Sequence, residues 1–350
     1  MKTQVFDLVG PVGFGAYEVE WTPQPHFHRV SRPPQGLLVP GFVDIHFHGA
    51  FGIDFMSASP EDLTFLCGRL AKLGYEWFLP TTVTATIEAV RAAMVNLIEH
   101  EMIRGFHLEG PFISPVFPGA QPKAFILDPP MGPGEWDEVF TDPRLKLVTL
   151  APERPGALEL TTALMEAGVV VSMGHTNATF EEARRGFEFG ASHTTHTYNA
   201  MRPFHHREAG IIAYALTEDA LFCELIYDRL HVCREAAGLL LKCKSNDRII
   251  AISDSTMATG LTAGTKLDMW GNPAVIGRHD VRLPDGTLAG SSITVADAFR
   301  NLHDDFGAET AIKLCCINAR RSLGLNREPR IWLELDEDLA IVQIHEVPQE

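Results

Sequence analysis

The stretch PGFVDIHFHG (Pro40–Gly49) decides the fold. It runs apolar into Ile45 and then ends in two imidazoles, His46 and His48, at i and i+2. On a strand that spacing puts both rings on one face. Four more apolar runs end in the same manner. Ile103–Leu108 ends in Glu109, Val169–Gly174 in His175, Ser192–Thr195 in His196 and Arg248–Ser253 in Asp254. Buried charge is costly unless it is paired or ligates a metal. Five such ends, spread over more than two hundred residues, point to one converging site with the ligand types of a divalent metal that activates water.

Working outward, eight short β-branched runs alternate with amphipathic stretches: Gly36–Ile45, Tyr75–Pro80, Ile103–Leu108, Lys146–Leu150, Val169–Met173, Ala191–His196, Leu221–Tyr227 and Arg248–Ser253. They are too apolar for strict alternation, as befits strands covered on both faces. Helices are expected over Pro60–Leu73 (capped by Ser59), Ile87–Glu101, Gly156–Ala167 and Asn177–Phe189. The pattern predicts an α/β fold, a (β/α)₈ TIM barrel, whose catalytic groups sit at the carboxyl ends of the strands. Both chain ends differ. Residues 1–36 hold short alternating pieces with proline breaks, and 331–347 read as a hairpin with an acidic turn at Asp336–Asp338. A small β-sandwich domain is expected from residues 1–36 and 325–350, beside a barrel over 37–324. Residues 257–290 are a turn-rich excursion, and Ser291 or Ser292 is expected to cap a helix running to about Phe306.

Composition narrows the function. The chain has 350 residues, 45% of them apolar, and a net charge of −16. That acidity argues against nucleic acid as a partner, since phosphate backbones need clustered Lys and Arg. No run approaches membrane-spanning length. The six cysteines form no C-x-x-C pair and the N-terminus has no leader-like apolar stretch, so a reducing, cytoplasmic setting is expected.

Each site residue has a bland reading as well. H-x-H alone is a weak motif, an acid before Gly-Pro can be an exposed loop carboxylate, and a lone histidine is more often structural than a ligand. Together at successive strand ends they reverse that weighting. Asp44 shares the parity of His46 and His48 and is expected to orient a ligand from behind. Asp254, beside metal-activated water, suits a general base that then acts as general acid. The amides near Asn199 and Ala200 and the planar fork of Arg207 suit a phosphate.

At this point the chain resembles the N-acetylglucosamine-6-phosphate deacetylases of the amidohydrolase superfamily. The segments that carry the resemblance are Pro40–Gly49, His107–Phe112, Gly174–Thr179, Thr195–Met201, Arg207–Gly210, Ser253–Ser255 and Asp285–Ser291, in the family's order and covering roughly residues 36–325. The resemblance implies metal-dependent removal of acetate from a sugar amide in amino-sugar catabolism. It implies Glu109, His175 and His196 as principal ligands, His46 and His48 as holders of a second ion, and Asp254 as the proton shuttle. One or two divalent ions per subunit are implied, Zn²⁺ or Fe²⁺. His231, Asn199, Ala200 and Arg207 match substrate positions; in relatives the arginine comes from a neighbouring subunit, which implies a homodimer. Three departures stand out, one being that the superfamily's C-terminal hairpin is barely recognisable after Leu325, so that a reduced small β-domain is expected. Gln121 replaces a histidine that contacts the acetyl carbonyl, and Arg229 stands where glycine is usual, where it could add charge for a phosphate. The alternatives are another N-acylated amino sugar, a cyclic amidohydrolase and a silent sugar-phosphate sensor. Against the cyclic amidohydrolase, Lys146 lies at the wrong end of its strand to bridge metals; against the sensor, no ligand is missing.

Overall fold

A computed structural model describes residues 4–22, 24–278, 280–325 and 328–348. Eight parallel strands form its centre: β1 (Phe42–Phe47), β2 (Tyr75–Pro80), β3 (Phe106–Glu109), β4 (Leu145–Leu150), β5 (Val170–Met173), β6 (His193–Thr194), β7 (Phe222–Ile226) and β8 (Ile249–Ile252). Strands β3 to β8 are hydrogen-bonded in chain order as one sheet, and β1 pairs with β2. Two seams close the ring. Thr82 N donates to His107 O (2.9 Å), joining β2 to β3. Asp254 N donates to His46 O (3.0 Å) and His48 N to Ser255 O (2.8 Å), joining β8 to β1. Every residue of β1, β2, β3 and β8 is buried, which is why these strands read as continuous apolar runs.

The expected first strand, Gly36–Ile45, is two strands. Leu37–Pro40 lies antiparallel to Ile331–Leu335, outside the barrel, and β1 begins after Gly41. A side chain at Gly41 would lie 2.5 Å from Ile331 and 2.8 Å from Glu76, so only glycine lets the chain cross there. Leu37–Pro40 belongs to a single six-stranded sheet built from both ends of the chain. Its order is Ile341–Glu346, Ile331–Leu335, Leu37–Pro40, Gln4–Gly10, Gly13–Thr22, Gln24–Arg29. Phe6, Leu8, Tyr17, Val19, Leu38 and Trp332 pack together on it.

Ser59 caps Pro60–Lys72 with a capping box, as expected. The helix from Ile87 stops at Asn96, because the following chain is drawn in beside β2, where Phe78 N donates to Met102 O (2.8 Å). The helix after β5 starts at Phe180 rather than Asn177, since the box is Thr179 with Glu182. Likewise Thr294 with Asp297, and neither Ser291 nor Ser292, caps Val295–Phe306. The Ser291 hydroxyl donates instead to Ser253 O beside the end of β8. The 257–290 excursion carries a three-stranded antiparallel sheet, Lys266–Met269, Asn272–Ile276 and Val281–Arg282. Among the described residues no helix is long and apolar enough to cross a membrane, and all six cysteines are free.

Candidate metal centre and substrate cavity

The strand ends bring the predicted residues together. His46 lies at the end of β1 and His48 just beyond it, Glu109 ends β3, and His175, His196 and Asp254 follow β5, β6 and β8. His175, His196 and Asp254 have φ of 46°, 32° and 49°. That left-handed backbone costs a non-glycine residue about 1–3 kcal/mol and clusters at functional sites. It turns each side chain across the barrel mouth as its strand stops.

The six residues form two trios, His46 with His48 and Asp254, and Glu109 with His175 and His196; within each trio the donor atoms lie within 4.8 Å of one another. Glu109 spans both. Its Oε1 is 3.2 Å from His175 Nε2, 3.3 Å from His196 Nε2 and 3.3 Å from His46 Nε2, while its Oε2 is 3.2 Å from His48 Nε2. Asp254 Oδ1 is 3.3 Å from His48 Nε2 and 3.5 Å from His46 Nε2. All six residues are buried.

The donor set fits divalent ions. His48 Nδ1 sits 3.1 Å from Thr81 O, His175 Nδ1 3.2 Å from Phe117 O and His46 Nδ1 3.4 Å from a carboxylate oxygen of Glu224. Oxygen acceptors behind these rings place the proton on Nδ1 and leave an Nε2 lone pair facing the centre. Yet His46 Nε2 and His48 Nε2 are 3.1 Å apart, and His175 Nε2 and His196 Nε2 3.0 Å apart. Lone pairs so close repel unless a positive charge lies between them. Protons and cations therefore compete for these nitrogens. Burial lowers the pKa of His48, but Asp254 and Glu109 outweigh it and push it up to about 9. Burial likewise opposes the charge on His46, and Glu109 with Asp254 raises it well above the usual range. Burial would raise Glu109 and Asp254, and the imidazoles instead hold both below the ordinary carboxylate range.

A cavity of about 230 Å³ opens over this centre, and Gly119, Ala120, Gln121, Asn199, Ala200 and His231 line it beside the ligands. His231 is held by Asp228, whose Oδ2 is 2.6 Å from Nδ1. Gln121 is clamped: its Oε1 accepts from Thr84 N (2.7 Å) and its Nε2 donates to Glu109 Oε2 (2.5 Å). One amide proton of Gln121 is thus taken by Glu109, one of the six candidate ligands. Arg207 is not in this group; it is exposed, beside His206, and does not line the cavity.

Asp44 stands behind His46 as expected, though at its backbone and not its ring, while the expectation for Arg229 is corrected. Asp44 accepts from His46 N (3.3 Å), Ser253 N (3.2 Å) and Ser253 Oγ (2.5 Å), so it fixes the backbone of β1 and the turn into Asp254. Arg229 does not serve a phosphate from this chain. It is exposed, pairs with Asp305 (2.7 Å) and Asp304 (3.5 Å), and lies outside the cavity wall. Its φ of 67° accounts for a glycine-like position.

The sequence reading also passed over residues. Glu224 lies inside β7, and the only signal was one acid within the apolar run Leu221–Tyr227. Trp270, Thr287 and Leu288 of the excursion form part of the cavity wall. The Trp270 ring stands edge-on to His48 at 5.4 Å, and its indole N–H donates to Asp54 (2.7 Å). Nothing in the sequence brings that loop back over the barrel mouth.

A closed eight-stranded barrel with paired His/Glu/Asp trios at its carboxyl end defines a metal-dependent hydrolase, and residues 37–328 match the amidohydrolase family, to which the chain belongs. Its relatives narrow the class. The chain is 36% identical over 318 residues to the N-acetylglucosamine-6-phosphate deacetylase of Lysinibacillus sphaericus, covering 88% of this chain and 82% of that one. It is 33% identical to the N-acetylgalactosamine-6-phosphate deacetylase of Escherichia coli O157:H7, covering 85% and 81%. The N-acetylglucosamine-6-phosphate deacetylase structure from Thermotoga maritima superposes with a TM-score of 0.90 at 30% identity, covering 99% and 98%. A Mycobacterium smegmatis variant solved with N-acetyl-D-glucosamine-6-phosphate matches at 0.87 and 28% identity, covering 99% and 98%.

Proposed function

We propose that this protein hydrolyses the acetamide of N-acetyl-D-glucosamine 6-phosphate, giving D-glucosamine 6-phosphate and acetate. The observation that carries the reading is Glu109, which belongs to one trio of candidate metal ligands and reaches the other, at the floor of a sugar-sized cavity. Bound divalent ions, one or two per chain and Zn²⁺ or Fe²⁺ by the nitrogen-rich donor set, would lower the pKa of water and polarise the amide carbonyl.

The chain's own residues do the rest. His46, His48, Glu109, His175 and His196 hold the centre. Asp254 contacts both β1 imidazoles through Oδ1, which leaves Oδ2 to take a proton from the attacking water. The same carboxyl group then delivers that proton to the departing amine nitrogen, without which the C–N bond would have to expel an amide anion. His231 and Gln121 line the sugar and acyl side; Asn199 and Ala200 line the phosphate side, where the left-handed turn at Ala200 (φ 48°) suits its backbone amide to a phosphate oxygen, the Asn199 N–H being held by His196 O (2.9 Å).

Arg207 of the partner subunit completes the phosphate grip in a homodimer; the exposure of Arg207, outside its own chain's cavity, supports this arrangement. The free cysteines support a reducing, cytoplasmic setting. The barrel and the six-stranded sheet, which takes Leu37–Pro40 with it, are two domains of one enzyme.

The test is acetate release from three substrates: N-acetylglucosamine 6-phosphate, its galactosamine epimer and unphosphorylated N-acetylglucosamine. The reading expects the first to give the highest kcat/KM. A preference for the epimer favours the second curated activity among the relatives. Absence of acetate from all three overturns the proposal.

A further inference from the structure

Glu224 is the third residue of β7, within the otherwise apolar FCELI run. It is fully buried. No Lys or Arg among the described residues pairs with it; its one ion-pair partner is His46, with Oε2 3.4 Å from Nδ1. The same Oε2 is 3.4 Å from the backbone N of His196, and Oε1 meets no hydrogen-bond partner. A barrel interior does not retain a half-satisfied carboxylate for packing, since an apolar side chain of similar size would be cheaper to bury.

The neighbouring ligands show what is special. His48 and His175 turn Nδ1 toward neutral carbonyl oxygens, of Thr81 and Phe117. His46 alone has a carboxylate behind its ring. A carboxylate behind an imidazole fixes its tautomer and makes the opposite nitrogen a stronger donor. Glu224 also touches the backbone of His196, which belongs to the other trio.

We propose that Glu224 is the positioning residue that makes the His46, His48 and Asp254 trio a working cation site. It accepts the Nδ1–H of His46, aims the Nε2 lone pair at the trio, and adds negative charge beside it. This inference rests on the paired-cation reading of the centre and assigns its second site to a residue that no ligand motif contains.

The test compares full-length wild type, Glu224→Gln and Glu224→Leu. Each protein is stripped with chelator and titrated with Zn²⁺. Bound ions per chain are counted by elemental emission after gel filtration, and affinities are read by calorimetry. Gln keeps an acceptor but loses the charge; Leu loses both. Wild type is expected to bind two ions. Glu224→Gln should weaken one of them about 10–100-fold, the range for loss of a group behind a ligand. Glu224→Leu should bind a single ion, held by Glu109, His175 and His196. Two ions at wild-type affinity in both variants overturns the inference. So does equal weakening of both ions in step with a lowered Tm, which marks a merely structural residue. A wild type that binds fewer than two ions overturns the paired-cation reading itself, and is distinguishable because it needs no variant.

Discussion

Asp254→Asn separates proton transfer from the rest of the site. Asp254 is only 8% exposed, and its contacts to His48 and His46 (3.3 and 3.5 Å) run through one oxygen. Asparagine has the same shape and can keep that oxygen in place. It cannot take a proton from water or return one to the amine. A positioned general acid–base contributes about 10²–10⁴-fold, equivalent to about 3–5 kcal/mol on the barrier. Asp254 does not grip the phosphate, so KM should stay within about threefold and the loss should fall on kcat. The assay is enzyme-coupled acetate release at saturating substrate, with metal content measured on the same sample. A variant with unchanged metal content and kcat within tenfold of wild type would refute Asp254 as the shuttle.

Four further outcomes follow from the geometry. His48, raised to about 9, and His46, also raised, carry protons in the metal-free protein at pH 7, so metal uptake should release protons; calorimetry in buffers of different ionisation enthalpy reads this. The sign for stability follows. Raised imidazoles stabilise below the unfolded value of about 6.5, and that contribution is lost as pH rises through about 9, so the Tm of chelated protein should fall between those values. Arg207→Ala should raise KM for the phosphorylated sugar about 10–100-fold at near-constant kcat, leaving the unphosphorylated sugar unaffected, because a charge-assisted contact is worth about 1.5–3 kcal/mol. Glu76→Ala strands Arg320, whose guanidinium makes two contacts to Glu76 at 2.7 and 2.8 Å in a buried pair; unfolding should become about 3–5 kcal/mol easier with kcat/KM unchanged.

The paired His/Glu/Asp centre was legible because its residues break a rule. His46, His48, Glu109, His175, His196 and Asp254 each stand where an apolar strand should have continued or turned into a neutral loop. Glu224 broke the same rule, but in the middle of its strand, where an acid can be read as an outward-facing residue. Parity says which face Asp44 takes and not what waits there, which is the backbone of His46 together with Ser253. The first strand looked continuous because Gly41 leaves no mark in a hydropathy pattern. Yet the crowding by Ile331 and Glu76 there lies nearly 300 residues and 35 residues away along the chain. The helix at Val295 was placed too early because Ser291, Ser292 and Thr294 are all good caps, and only Thr294 has an acid three residues on that closes the box. The wall made by Trp270 and Leu288 depends on how a turn-rich excursion folds back, which periodicity does not encode.

The most direct measurement is turnover of N-acetylglucosamine 6-phosphate by one preparation, before chelation, after chelation, and after return of Zn²⁺ or Fe²⁺. Acetate release should fall to background when the ions are removed and recover as they bind, in proportion to ions per chain. Full turnover by a protein shown to hold no metal would contradict a centre built around Glu109.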